Sequence, residues 1–258
     1  MVAGSWYIAR MSDTVLTNVT DGISTVTMNR PGARNALSLD LIDALAEAIE
    51  AVERDATVRA LILAGAGKAF CAGMDLNGVM ADAVGMRRML QNFSRVMRRI
   101  RRLPIPTIAR VQGAAIGGGC GLMVVTDFAV THPQANVGFP EVSLGLCPAV
   151  VAPWLMRRIG SGRARAMLLA GGTITGREAA ELGLATHLAK RDRLDREAAE
   201  LARRLAEGGP HAIAATKRWV NELDGSLDDE VFERAAKLSA DVLASPEAQS
   251  RLRARFGG

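Results

Sequence analysis

The chain has 258 residues, 49% of them hydrophobic and 23% charged, with a net charge of +5. That balance supports a packed core and excludes wholesale disorder. No apolar run approaches the ~20 residues of a bilayer-spanning helix. Residues 1–13 lack the basic start and apolar core of a secretory signal, so the chain reads as cytoplasmic with an N-terminal tail over 1–12.

In chain order, residues 15–19 and 23–28 predict two strands of a hairpin turning at Asp21-Gly22. Pro31-Gly32 breaks the pattern. Ser38 then predicts the N-cap of a helix whose apolar residues Leu41, Leu45, Ile49 and Val52 recur at helical spacing. Residues 59–64 predict a short buried strand, ended by Gly65-Ala66-Gly67. Met89, Phe93, Val96, Met97, Ile100 and Leu103 predict an amphipathic helix. Its outer face carries Arg87, Arg88, Arg95, Arg98, Arg99, Arg101 and Arg102, and Pro104 and Pro106 stop it. Residues 107–112 predict a strand. Gly117-Gly118-Gly119 leads into an apolar helix over 120–125, and 128–131 is a further strand.

Beyond residue 150 the pattern turns helical. Thr175 and Glu178 form a capping box, with Gly183 as the stop. Leu194, Ala198, Leu201 and Leu205 mark the next helix, closed by Gly208-Gly209. Pro210 suits the first turn of another, and Ser245-Pro246 opens the last. The simplest account is one α/β core over 13–200 and a helical section over 201–258, either a separate oligomerisation module or a continuation of the core.

Cys71, Cys120 and Cys147 lie too far apart for a CxxC pair and read as small buried thiols. His132, His187 and His211 are scattered, so neither a metal site nor a histidine triad is indicated. Gly65-Ala66-Gly67-Lys68 lacks the Ser/Thr of a phosphate-binding loop, because Ala69 follows. Leu122 stands where a dinucleotide fingerprint needs its third glycine. The arginine helix reads as a solvated face first and as a site for a phosphate-bearing ligand second. Nucleic acid is disfavoured, since aromatics are only 4% of the chain and no RNA-binding or zinc-finger pattern occurs.

What remains is a pair of tight turns, Phe70-Cys71-Ala72-Gly73 and Ile116-Gly117-Gly118-Gly119, the second opening a helix. Glycines allow close approach to the main chain, and a helix N-terminus presents free N–H groups. Two such amides aimed at one oxygen make an oxyanion hole. Phe139-Pro140-Glu141 adds a carboxyl between apolar neighbours, where burial would raise its pKa and suit it to proton transfer.

Asn29-Arg30-Pro31 through Asn35-Ala36-Leu37, Lys68 through Leu76, Gly113 through Gly119, and Phe139-Pro140-Glu141 with Leu144-Gly145 together resemble the crotonase superfamily of enoyl-CoA hydratases and isomerases. The resemblance implies a ββα spiral core with a C-terminal helical trimerisation region, assembled as a homotrimer or homohexamer. It implies an acyl-CoA thioester substrate, with coenzyme A as part of that substrate and no separate cofactor or metal. It implies Glu141 as the acid/base group and the main-chain amides of Ala72 and Gly118 as the oxyanion donors. Arg34, Ala36, Ala72, Asp75, Leu76, Gly118 and Pro140 would surround the substrate. Residues 79–90 would wall the acyl pocket, with Trp154 facing it.

One departure stands out. Paired-glutamate hydratases carry a second glutamate where this chain has Gly121. The resemblance therefore implies hydration by Glu141 alone. A single-glutamate Δ3-Δ2 isomerase and a non-catalytic acyl-CoA binder are the alternatives. The Gly145-Leu146-Cys147-Pro148-Ala149 stretch, similar to that of some bacterial hydratases, favours the hydratase.

Overall fold

The computed structural model describes residues 7–9, 13–76 and 82–256. Strands β1 (Tyr7–Ala9), β2 (Val15–Thr20) and β3 (Ile23–Met28) form an antiparallel meander. The β2–β3 turn places Asp21 at φ 52° and Gly22 at φ 74°, matching the hairpin turn whose twist suits the flanking strands. Residues 7–9, read as tail, instead pair with Thr17, Asn18 and Val19, because β2 offers them an open edge.

Helix α1 (Leu39–Arg54) starts as the sequence requires, the Ser38 hydroxyl accepting from the Leu41 N–H at 3.3 Å. Strand β4 (Ala60–Gly65) is buried throughout and lies parallel to β3. Helix α2 (Ala83–Arg102) is capped by Asp82 and followed by β5 (Thr107–Val111). Next come β6 (Ala115–Ile116), α3 (Gly118–Val125), β7 (Phe128–Thr131) and β8 (Asn136–Gly138). Helices α4 (Ala152–Ile159) and α5 (Ser161–Ala170), strand β9 (Thr173–Thr175), helix α6 (Gly176–Glu181) and strand β10 (His187–Leu188) follow. The chain ends in α7 (Leu194–Ala206), α8 (Pro210–Leu223), α9 (Asp229–Leu243) and α10 (Pro246–Phe256).

Among the described residues the main sheet runs β1-β2-β3-β4-β5-β7-β10, parallel from β3 onward. A small sheet, β6-β8-β9, stands beside it. Its strands of two or three residues are too short to show an alternating pattern, so sequence periodicity misses them.

The arginine face of α2 is neither bare nor merely solvated. Arg87 pairs with Asp241, Arg88 with Asp43, Arg99 with Glu50 and Glu53, and Arg101 with Asp224. Arg98 and Arg102 share Asp229 at 2.7 and 2.8 Å. These pairs bind α2 to α1 and to the C-terminal helices and engage six of the seven arginines, Arg95 donating instead to Asn92 of its own helix.

The helical section continues the core. Leu194, Ala198 and Leu201 of α7 pack with Ile62 and Ile108 of the main sheet, so a boundary at residue 200 cuts a single helix. Phe232 of α9 stacks on Trp154 of α4, with ring centroids 4.2 Å apart and planes 8° apart. Helix α8 is pinned by polar contacts. Its Lys217 ammonium donates to the Ile105 carbonyl at 2.7 Å and to Asp127, and Asn221 donates to the Arg101 carbonyl.

Candidate active site

The site begins at Asn35, a buried residue in the left-handed region at φ 56°. Its side-chain amide donates to the carbonyls of Ala66, Ala69 and Phe70 at 2.9 to 3.1 Å, and its oxygen accepts from the Arg30 N–H. One side chain thus fastens two loops that sequence places far apart. Arg30 adds an ion pair to Asp75 at 3.0 Å.

The fastened loops decide which amides are free. The Ala72 N–H donates to the Arg34 carbonyl at 3.0 Å, so it is not available as an oxyanion donor. This corrects the expectation for Ala72, which lines the cavity but not through a free amide. The Leu37 N–H donates to the Gly73 carbonyl and the Asp75 N–H to the Leu37 carbonyl, at 2.8 and 3.0 Å. Met74 lies between these two bonds, and parallel pairing turns its own N–H to the opposite side. There it has no partner among the described residues and lines the same cavity. Only bridge register reveals this donor, and no residue type in the sequence encodes it.

Gly118 presents a second unpartnered amide to the same cavity. Gly117 is the N-cap of α3 at φ 54°, its N–H bound to the Gly138 carbonyl at 2.8 Å. The Gly118 N–H, first in the helix, has no partner among the described residues and carries the positive end of the helix dipole. The two donor loops touch. A Cβ on Gly73 would stand 2.9 Å from the Ile116 carbonyl oxygen and 4.0 Å from the Gly118 nitrogen.

Glu141 opens a short 3-10 turn after Pro140 and lines this cavity of about 640 Å³. Its Oε2 is buried without a hydrogen-bond partner. Burial pushes the carboxyl from its ordinary 4.5 to about 7, offset only in part by its own backbone N–H. Such a group exchanges protons readily near neutrality. Asp75 also lines the cavity, but Arg30 holds it, leaving Glu141 as the carboxylate free to act.

Arg34, Ala36, Leu76 and Pro140 also line the cavity. Of residues 79–90, positions 79–81 lie outside the described residues, while Leu90 and neighbouring Phe93 form apolar wall. Trp154 does not face the acyl region. It is buried behind the wall against Phe232, because α4 turns its aromatic face toward α9. Gly121 is buried too. A Cβ there would meet Val151 Cγ1 at 2.6 Å and the Met97 sulfur at 3.3 Å. Cys71 and Cys120 are buried as expected, the Cys71 thiol pushed up to about 12 by burial. Cys147 is half-buried and lines the cavity instead. Ser239 and Leu243 of α9 and Arg255 of α10, none singled out from the sequence, complete the lining.

The sequence profile of the enoyl-CoA hydratase/isomerase family matches residues 18–254. The chain is 36% identical to an enoyl-CoA hydratase of Mycobacterium tuberculosis, over 89% of this chain and 88% of that protein. It is 35% identical to the 1,2-epoxyphenylacetyl-CoA isomerase of Escherichia coli, over 90% and 93%. The crystal structure of an enoyl-CoA hydratase/isomerase from Mycobacterium paratuberculosis superposes with a TM-score of 0.87 at 28% identity, covering 95% of this chain and all of that one. The motifs, the mixed α/β fold with its helical C-terminal region and these likenesses agree: the chain belongs to the enoyl-CoA hydratase/isomerase family, within the crotonase superfamily.

Proposed function

We propose that the chain adds water across the double bond of an enoyl-CoA thioester, with Glu141 as its single acid/base group. The observation that carries this reading is the convergence of one unpaired carboxyl and two unpartnered amides on one cavity. The thioester oxygen accepts from the Met74 and Gly118 N–H groups. As water attacks the β-carbon, the π electrons move toward that oxygen and form an enolate. Removing one such donor typically costs about 3–4 kcal/mol of transition-state stabilisation. Glu141 takes a proton from the attacking water and returns it to the α-carbon, regenerating the carboxylate. Arg34 and Arg255 line the cavity without an ion pair among the described residues, which suits phosphates on the coenzyme A portion.

The wall over Gly121 favours a second reading. No other unpaired carboxylate lines the cavity among the described residues, and a single base can also move a proton from the α- to the γ-carbon. A panel of enoyl thioesters in heavy-oxygen water separates the outcomes. Hydration gives a 3-hydroxyacyl product carrying solvent oxygen, and isomerisation shifts the double bond without it. Glu141→Gln is expected to lower kcat by roughly 10²–10⁴-fold while thioester binding persists. Unchanged turnover would remove Glu141 from the reaction. Tight binding with no turnover by the unaltered protein would make it an acyl-CoA binder.

The chain is further proposed to work as a homotrimer or homohexamer. Trp219 and Leu223 lie one turn apart on α8 with Val220 beside them, all exposed on a helix held to its own subunit by polar contacts. Sedimentation of the unaltered protein and of Leu223→Glu tests this, and a monomer in both would refute it.

A further inference from the structure

Gly117 and Gly121 lie one turn apart at the start of α3, joined by the Gly121 N–H donating to the Gly117 carbonyl at 2.9 Å. Gly117 is the N-cap, and Gly121 lies one helical turn of about 5.4 Å beyond it along the axis. Different side chains cover the two glycines. Glu141 Oε1 lies 2.8 Å from a Cβ built on Gly117, and Val151 Cγ1 lies 2.6 Å from a Cβ built on Gly121. Glu141 and Val151 thus cover two positions one turn apart at the same helix start, and both line the one cavity. Val151 is 3% exposed, with the Met97 sulfur behind the same glycine.

A water attacking beside Glu141 needs hydrogen-bond partners, and an ordered water typically makes about three bonds. The isopropyl group of Val151 offers none and fills the volume over Gly121. The hydroxyl protons of the lining are already spent: Ser239 donates to the Cys147 carbonyl at 2.9 Å, and Ser143 to the Pro140 carbonyl at 2.7 Å. We infer that Val151 is the residue that sets the partition between hydration and double-bond isomerisation, by controlling whether a water can lodge over Gly121 next to Glu141. This rests on the proposed reading of the cavity as an enoyl-thioester site.

The test is the ratio of solvent-oxygen-labelled 3-hydroxyacyl product to double-bond-shifted product for the unaltered protein, Val151→Ile, Val151→Ala and Val151→Thr. Folding of each is checked by circular dichroism. Ile overfills the bay, Ala empties it, and Thr places a hydroxyl where a methyl stood. The expected ratio of hydrated to shifted product is lowest for Ile and rises at least threefold from Val to Ala and to Thr. A ratio constant across the folded members, with turnover intact, would overturn the inference and leave Glu141 chemistry standing. Loss of both products already in the unaltered protein would overturn the proposed reaction, and this inference with it. Should Thr not fold, the Ile–Val–Ala series decides alone.

Discussion

Glu141 and Gly117 are interlocked. The carboxylate oxygen Oε1 occupies a position only 2.8 Å from where any Cβ at 117 would stand, at a backbone φ of 54°. The same peptide that turns the Gly118 amide into the cavity therefore also makes the berth for the acid. Gly117→Ala should lose on both counts. Strain at such a φ costs of order 1–3 kcal/mol, seen as a lower Tm, and the displaced carboxylate should lower kcat. Gly160→Ala is the control, with φ 80° and no atom within 4 Å of its Cβ. It should lower Tm and leave kcat unchanged. Equal kcat in both variants would show that the berth does not matter.

The raised pKa of Glu141 ties stability to pH with a definite sign. A carboxyl at about 7 when folded and near 4.5 when unfolded binds more proton in the native state between those values. Its favourable contribution is full below about pH 4.5 and lost as pH rises through 7, a swing of about 3 kcal/mol at most. Glu141→Gln, a neutral stand-in for the protonated acid, escapes the loss. Its Tm advantage over the unaltered protein should grow from pH 5 to pH 8. Activity should move the opposite way. A base must be ionised, so kcat/KM is expected to rise through an inflection near 7, read directly from a pH–rate profile.

The assignment of the Met74 rather than the Ala72 amide can be tested atom by atom. Replacing the Met74 N–H by an ester oxygen should lower kcat by about 10²–10³-fold. The same exchange at Ala72 removes a hydrogen bond to the Arg34 carbonyl and should cost about 1 kcal/mol of stability. The reverse pattern in kcat would restore Ala72 as the donor.

Asn35 holds the loops without touching the reacting atoms. Asn35→Ala strands the buried carbonyl of Phe70, leaves the Ala69 carbonyl to Gln112 alone and removes the acceptor for the Arg30 N–H. Each unsatisfied group costs about 1–3 kcal/mol, so Tm should fall sharply. Where the variant folds at low temperature, kcat should fall because the Met74 amide loses its fixed direction. An unchanged Tm would show the loops hold themselves.

The sequence by itself determined the long elements and the family. The apolar spacing of α1 and α2, the cap at Ser38, the capping box at Thr175 and the continuous apolar run of β4 are local signals, and local propensity is written residue by residue. Glu141 and Gly118 could be singled out from residue type and local pattern, and both line the cavity, but the raised pKa of Glu141 comes from burial in the fold. The oxyanion partner could not. The Ala72 N–H is taken by the Arg34 carbonyl, while the Met74 N–H is turned away by its bridge to Leu37, and both partners stand some forty residues earlier. The fate of the arginine stripe, the burial of Trp154 and the plugging of Gly121 by Val151 are likewise decided by partners remote in sequence. Tertiary packing alone fixed which amides stayed free and what stands beside the acid, because both depend on register and contact rather than on residue type.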